Sequence, residues 1–316
     1  MTNDRVRQST ARKEDTVRKA LRGISGVHVT AWNADGEADW ALTGRIVARI
    51  ADAGIHNIVS AGNTGEFYPM TTDEVVRSHA VAAEAAAGKA LVTAGIGRSL
   101  REAIATGKRA AKAGCDAVMV HHPLDPFAAP QSQADYIIAI AEALELPLVA
   151  YIRSDAIGVK DLVRVATHAN VAGVKFASPN MMLLSECVRA TQGTSANWIC
   201  GLAEGWAAPF YALGARGFTS GLINVAPERS LAVWRALEAG DYATARTEVD
   251  AIAGFETLRT KYGNGANVTV VKEALGMLGT NVGPVRLPGL PELNPTERAE
   301  LSAIVAGWSA VRVAAE

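Results

Sequence analysis

Cysteine is scarce: Cys115, Cys187 and Cys200 are scattered through 316 positions, with no Cys-x-x-Cys pair. An odd, unpaired set offers no disulfide framework and reads as buried free thiols in a reducing cytoplasm. Aromatic residues make up only 6% of the chain, too few for a platform on which nucleic-acid bases stack. Charge excess is missing as well. Lys and Arg number 31 against 32 Asp and Glu, a net of −1, which disfavours a basic face for nucleic acid or an anionic membrane. No run of about 18 apolar residues occurs, so no membrane span is expected. Residues 1–23 are polar and charged without an apolar centre, so no secretory signal is expected.

Two motif absences narrow the chemistry. No His-Glu-x-x-His occurs, and the adjacent His121 and His122 point to opposite faces of any strand, so no metal is expected. After the first apolar run the chain reads Asn33-Ala34-Asp35-Gly36-Glu37. The glycine fingerprint of a dinucleotide-binding fold is therefore absent, which disfavours an open doubly wound sheet.

What is present is strand–helix alternation. Short, nearly continuous apolar runs at Gly26–Trp32, His56–Gly62, Ala90–Gly97, Ala117–Pro123, Pro147–Arg153, Val171–Ser178, Trp198–Leu202 and Gly217–Asn224 alternate with amphipathic stretches. Unbroken apolar strands belong to parallel sheets covered on both faces. Helix signals agree: Thr71 and Glu74 have capping-box spacing, and Gly54, Gly88 and Gly114 stand where helices run out. Eight such units predict an α/β fold, a closed (β/α)8 TIM barrel. Beyond Gly240 the stretches Asp241–Gly263, Asn267–Leu278 and Pro295–Val311 look helical with no strand between them. The expected organisation is a polar, partly helical leader over 1–25, a catalytic barrel over 26–239 and a C-terminal helical extension over 240–316.

The active site of such a barrel lies at the C-terminal ends of its strands. There Lys175 stands inside an apolar strand, where burying an ammonium is costly. Alternation puts Val171, Gly173, Lys175 and Ala177 on one face and Ala172, Val174 and Phe176 on the other. Desolvation would free the amine for attack on a carbonyl. A lysine reaching solvent or paired with a carboxylate fits the spacing equally. Tyr151, with Val149 and Arg153, shares a face of the neighbouring strand. It reads either as a proton shuttle beside the amine or as a core tyrosine bonded to backbone. Gly62-Asn63-Thr64-Gly65-Glu66 is a polar turn straight after a buried strand. Its N–H groups suit a carboxylate, and plain turn chemistry is the other reading. Glu204, after the seventh strand, reads as a substrate contact or a surface helix start. His28 and His56 read as structural, and Trp198, Trp206 and Trp234 as packing residues.

Taken together and in this order, Gly62-Asn63-Thr64-Gly65-Glu66, Tyr151, Val171-Ala172-Gly173-Val174-Lys175, Gly217-Phe218-Thr219-Ser220-Gly221 with Asn224, and Gly283-Pro284-Val285-Arg286-Leu287-Pro288 resemble the dihydrodipicolinate synthase / N-acetylneuraminate lyase family of class I aldolases. The resemblance runs over about residues 24–312. It implies a metal- and cofactor-independent lyase with Lys175 as the Schiff-base lysine for pyruvate or another 2-oxo acid, and Tyr151 as proton shuttle. Asn63, Thr64 and Gly65 would hold the substrate carboxylate, and Thr219 would line the pocket. It further implies a homo-oligomer, tetramer or dimer.

Three positions depart from the lysine-pathway synthase of that family. Asn63 stands where the synthase has its first turn threonine. His122-Pro123-Leu124-Asp125-Pro126 replaces its paired tyrosines, and Ala156 replaces the arginine that grips a second carboxylate. The stretches ending Glu66-Phe67-Tyr68 and Tyr151-Ile152-Arg153-Ser154-Asp155-Ala156 are similar instead to the 5-dehydro-4-deoxyglucarate dehydratase branch. That similarity implies a sugar-acid-like 2-oxo substrate, with Arg153 meeting a distal carboxylate. Lys175-Phe176-Ala177-Ser178 lacks that branch's Lys-Asp-Gly run. Three readings stay open: this lyase, 4-hydroxy-tetrahydrodipicolinate synthase (pyruvate plus aspartate semialdehyde), and an inactive barrel that binds small molecules or regulates.

Overall fold

The computed structural model describes residues 14–315, with side chains to 308. Its strands are β1 (Ile24–Val27), β2 (Asn57–Ser60), β3 (Leu91–Ile96), β4 (Ala117–Val120), β5 (Leu148–Ile152), β6 (Val171–Phe176), β7 (Trp198–Cys200) and β8 (Phe218–Ser220). All pair in parallel with their sequence neighbours, and β1 pairs with β8, closing the barrel. Residues 14–21 form helix α1. The connecting helices are α2 (Trp40–Asp52), α3 (Thr72–Ala86), α4 (Leu100–Lys112), α5 (Pro130–Ala143), α6 (Val159–Ala166), α7 (Met181–Ala190), α8 (Glu204–Ala212) and α9 (Pro227–Glu238). The chain ends in α10 (Tyr242–Asn264), α11 (Asn267–Met277) and α12 (Pro295–Ala315). Among the described residues no helix is long and apolar enough to cross a membrane.

Two apolar layers form, as a covered parallel sheet requires. The outer one packs helices on the barrel through residues such as Ile50, Ile58, Val174, Phe176 and Phe210. The inner one holds Val27, Val59, Met119, Val149, Tyr151 and Ile199, and is closed from below by Val17 and Leu21 of α1. Residues 1–13 of the expected leader lie outside the described residues. Local chemistry sets the helix ends: Thr71 and Glu74 make a complete capping box, and Gly54, Gly88 and Gly114 take positive φ.

Two sequence expectations change. The first strand starts at Ile24, not Gly26, because Ser25 is accommodated inside the barrel, where Asn57 Nδ2 donates to its hydroxyl at 3.1 Å. In β6 the expected faces hold from Gly173 onward but not at Val171 and Ala172. The pairing with β5 slips by one residue, Leu148 facing Val171 and Val149 facing Gly173. That extra residue turns Val171 into the outer layer and Ala172 into the inner one. Beyond the slip, alternation holds and delivers Lys175 to the inner face.

Candidate active site

Lys175 and Tyr151 are register partners on β6 and β5. The lysine is 5% exposed, and its Nζ lies 4.0 Å from the centroid of the Tyr151 ring. It has no carboxylate partner among the described residues, and Thr219 of β8 lines the same inner cavity. Desolvation first, and the Arg153 guanidinium second, lower its pKa from 10.5 to about 7. A large fraction of the amine is therefore neutral and nucleophilic near neutral pH. Burial removes the reading of Lys175 as a solvent-reaching lysine, and the lack of a carboxylate partner among the described residues removes the ion-paired one.

The turn after β2 has an unusual backbone. Ala61 and Glu66, neither of them glycine, take φ of 51° and 64° and bracket the segment 62–65. Such residues persist only where surrounding groups enforce them. The Ala61 carbonyl accepts a hydrogen bond from His121 Nε2 at 2.9 Å, and the Gly65 carbonyl accepts from Thr30 Oγ1 at 2.9 Å. The Asn63 and Gly62 carbonyls accept from the Glu66 and Phe67 N–H groups. The Thr64 and Gly65 N–H groups donate to nothing among the described residues. Two free donors beside a threonine 7% exposed make a small nest for an anion.

Asn63 joins the turn to the lysine's neighbour: its Nδ2 donates to the Tyr151 hydroxyl at 3.2 Å. Its Oδ1 is buried and unpartnered, a polar atom aimed at no protein group and available to a ligand. Burial raises the Tyr151 pKa to about 12, against the pull of Arg153. The phenol therefore holds its proton until a reaction draws it. Arg153, just beyond β5, is exposed and makes no ion pair or hydrogen bond among the described residues. Its charge acts on Tyr68, His122, Tyr151 and Lys175.

Several residues play parts that spacing did not reveal. His121 stacks on Phe67 at 4.0 Å, and burial holds its pKa near 3, so it braces the turn as a neutral ring. Glu204 is not the surface residue that one reading made it: it is fully buried and accepts from Ser230 Oγ at 2.6 Å. Burial and neighbouring Glu256 raise its pKa to about 7. Trp206 is 39% exposed rather than packed, whereas Trp198 is buried and Trp234 tilts against the His56 ring at 4.3 Å. Glu66 forms a buried ion pair with Lys272 of α11 at 2.5 Å. The signal for Lys272 was present in the sequence, a lysine among Val270, Val271, Ala274 and Leu275, all buried on one helix. It is the same kind of signal that marked Lys175.

A neutral amine at a barrel mouth, a protonated phenol against it and an anion nest beside them can bind a carbonyl acid covalently. Known proteins resemble this chain over most of its length. The dihydrodipicolinate synthetase family matches residues 20–307. A 4-hydroxy-tetrahydrodipicolinate synthase of Corynebacterium aurimucosum is 31% identical over 268 residues, 82% of this chain and 86% of that protein. A probable 5-dehydro-4-deoxyglucarate dehydratase of Bradyrhizobium sp. is 29% identical over 307 residues, 95% of this chain and 96% of that protein. The crystal structure of dihydrodipicolinate synthase from Bacillus clausii superposes with a TM-score of 0.90 at 38% identity, covering 92% of this chain and 99% of that one. Barrel, buried lysine and full-length similarity converge, and the chain belongs to the dihydrodipicolinate synthetase family, as a lyase of the class I aldolase type.

Proposed function

We propose that the protein forms a Schiff base between Lys175 and a 2-oxo acid, either pyruvate or a longer, sugar-acid-like substrate, and makes or breaks a bond next to the imine carbon. The observation that carries this reading is the buried amine of Lys175 against Tyr151. The neutral Nζ adds to the C2 carbonyl, and the carbonyl oxygen leaves as water after taking up protons. The resulting protonated imine is an electron sink: the electron pair of a C3–H or C3–C4 bond flows into it as the proton leaves to a base or the C4 fragment departs, giving an enamine. Tyr151 is positioned to carry the protons, and the Asn63 donor bond to its oxygen would ease transient loss of the phenol proton. The Thr64 and Gly65 N–H groups would hold the substrate carboxylate, Thr219 the wall beside the imine, and Arg153 a distal carboxylate. A homo-oligomer is the assembly that fits this reading.

A second reading, 4-hydroxy-tetrahydrodipicolinate synthase acting on pyruvate and aspartate semialdehyde, is supported by the Corynebacterium relative and the Bacillus clausii structure. Incubation with pyruvate and borohydride, followed by intact mass and peptide mapping, tests what the two readings share. A reduced adduct on Lys175 is expected; absence of an adduct with any of a panel of 2-oxo acids would overturn both. Turnover then divides them. Loss of water from a hydroxylated 2-oxo acid supports the first reading, and condensation of pyruvate with aspartate semialdehyde supports the second.

A further inference from the structure

The C-terminal helices reach the candidate site through a buried ion pair between α11 and the turn after β2. Glu66, the last residue of the carboxylate-binding turn, is 4% exposed and has a left-handed backbone, φ 64°. Its carboxylate collects three donors from distant parts of the chain. Trp32 Nε1 donates to Oε1 at 2.9 Å, the Arg286 N–H donates to Oε2 at 2.8 Å, and Lys272 Nζ lies 2.5 Å from Oε1. Lys272 is itself 4% exposed and donates to the Pro284 carbonyl at 3.1 Å. The Arg286 guanidinium lies 3.7 Å over the Trp32 ring and grips Glu74 with two bonds of 2.8 and 3.0 Å. None of these groups belongs to the lysine–tyrosine–asparagine set. Glu66 also donates its own N–H to the Asn63 carbonyl at 3.0 Å. A shift at Glu66 would therefore be passed back to Asn63 and the turn.

We infer that Lys272 is a positioning residue: through the buried Lys272–Glu66 pair, α11 holds the turn 62–66 in the strained shape that presents the Thr64 and Gly65 N–H groups and Asn63 to a substrate carboxylate. This rests on the proposed 2-oxo acid reading. An unsupported left-handed glutamate relaxes toward the ordinary backbone regions, and the nest opens. His121 holds the other end of the turn, at Ala61. The turn is thus clamped from β4 on one side and from the C-terminal extension on the other, and catalytic competence of the barrel depends on that extension being docked. The chemical group read through the strut is the carboxylate next to the reacting carbonyl. A carbonyl compound without a carboxylate does not use the nest and is indifferent to it.

The test uses the full chain and two probes, pyruvate and propanal, each trapped on Lys175 with borohydride and mapped. Lys272→Met removes the strut. The double variant Glu66→Gln/Lys272→Met removes both charges and covers the case in which an unpaired buried glutamate prevents folding. In a folded variant, half-saturating pyruvate should rise tenfold or more while propanal trapping stays within twofold. Equal losses for both probes, or none for either, would overturn the inference, since a merely structural role does not discriminate between them. Hydrogen exchange of the peptide spanning 61–67 supplies a readout independent of substrate: at least tenfold faster exchange is expected, with residues 57–60 unchanged. Wild-type exchange rates in a folded variant would also overturn it. If wild-type protein traps propanal but not pyruvate, the 2-oxo acid reading fails, and the exchange rates decide the strut alone.

Discussion

Asn63 Nδ2 donates a hydrogen bond to the Tyr151 hydroxyl at 3.2 Å, across 88 residues of sequence. This contact joins the turn after β2 to the lysine-bearing side of the barrel. It puts an amide, which cannot itself relay a proton, against the phenol. Tyr151→Phe should still trap pyruvate on Lys175 but lose about 10²–10⁴-fold in turnover, the usual worth of a positioned proton donor. Asn63→Ala should lose less. If the two act as one unit, the double variant will be no slower than Tyr151→Phe alone. Steady-state rates of the four proteins in the cycle check this.

Lys175 makes the barrel's stability depend on pH with a defined sign. Its pKa is near 7 folded and about 10.5 in an unfolded chain. Between those values the unfolded state binds the extra proton, so stability rises with pH through that window. Below about pH 7 the folded state must carry a buried charge. One such proton corresponds to at most about 1.4 kcal/mol per pH unit. Denaturant unfolding from pH 6.5 to 10 should show that slope in the wild type and a flatter one in Lys175→Met. Lys175→Met should also abolish trapping.

Arg153 should act on the lysine at a distance and on long substrates by contact. Its charge holds the Lys175 pKa down. Arg153→Ala should therefore move the pH midpoint of imine trapping upward. Affinity for 2-oxo acids with a distal carboxylate should fall tenfold or more, while pyruvate affinity changes little. Trapping rates against pH, for pyruvate and for a dicarboxylic 2-oxo acid, separate the two effects.

Glu204 should run the opposite way. Burial and Glu256 raise its pKa to about 7, with Ser220, Ser230 and Arg259 opposing. Between about pH 4.5 and 7 the folded state binds the extra proton, so this residue's contribution to stability falls as pH rises through that range. Glu204→Gln keeps an acceptor for Ser230 and cannot ionise. Relative to wild type it should gain stability from pH 5 to pH 8, as read from urea midpoints.

Gly95 of β3 is a steric test of the turn. A Cβ there would sit 2.2 Å from the Ala61 oxygen and 3.0 Å from His121 Nε2, the two atoms that share the bracing hydrogen bond. Gly95→Ala should cost about 1–3 kcal/mol, the usual price of overpacking. Pyruvate trapping should fall more than propanal trapping, because the damage lies at the nest.

Much of this was legible in residue order. Period-2 and 3.6-residue patterns are local consequences of backbone geometry, so the eight strand–helix units and the C-terminal helices stood out from residues near one another in sequence. Lys175 stood out because an ionisable group in an apolar strand breaks the local rule, and such breaks concentrate at functional sites. The slip that turns Val171 outward and Ala172 inward was not legible, since β6 alone carries no mark of it; it is a property of the pairing with β5. The burial of Glu204 was not legible for a related reason: a helix-start glutamate is ordinarily solvated, and its partner Ser230 lies 26 residues on.

Chain order alone therefore sets the barrel, the inward lysine and the polar turn, because each follows from periodicity and the cost of burying charge. Folding in three dimensions adds what no local pattern encodes. It lowers the Lys175 pKa by closing apolar walls around the amine, joins Asn63 to Tyr151, and sets Lys272 of the C-terminal helices against Glu66. Contacts of that kind depend on the distances between separate elements, and those distances exist only once the barrel has closed and the tail has packed upon it.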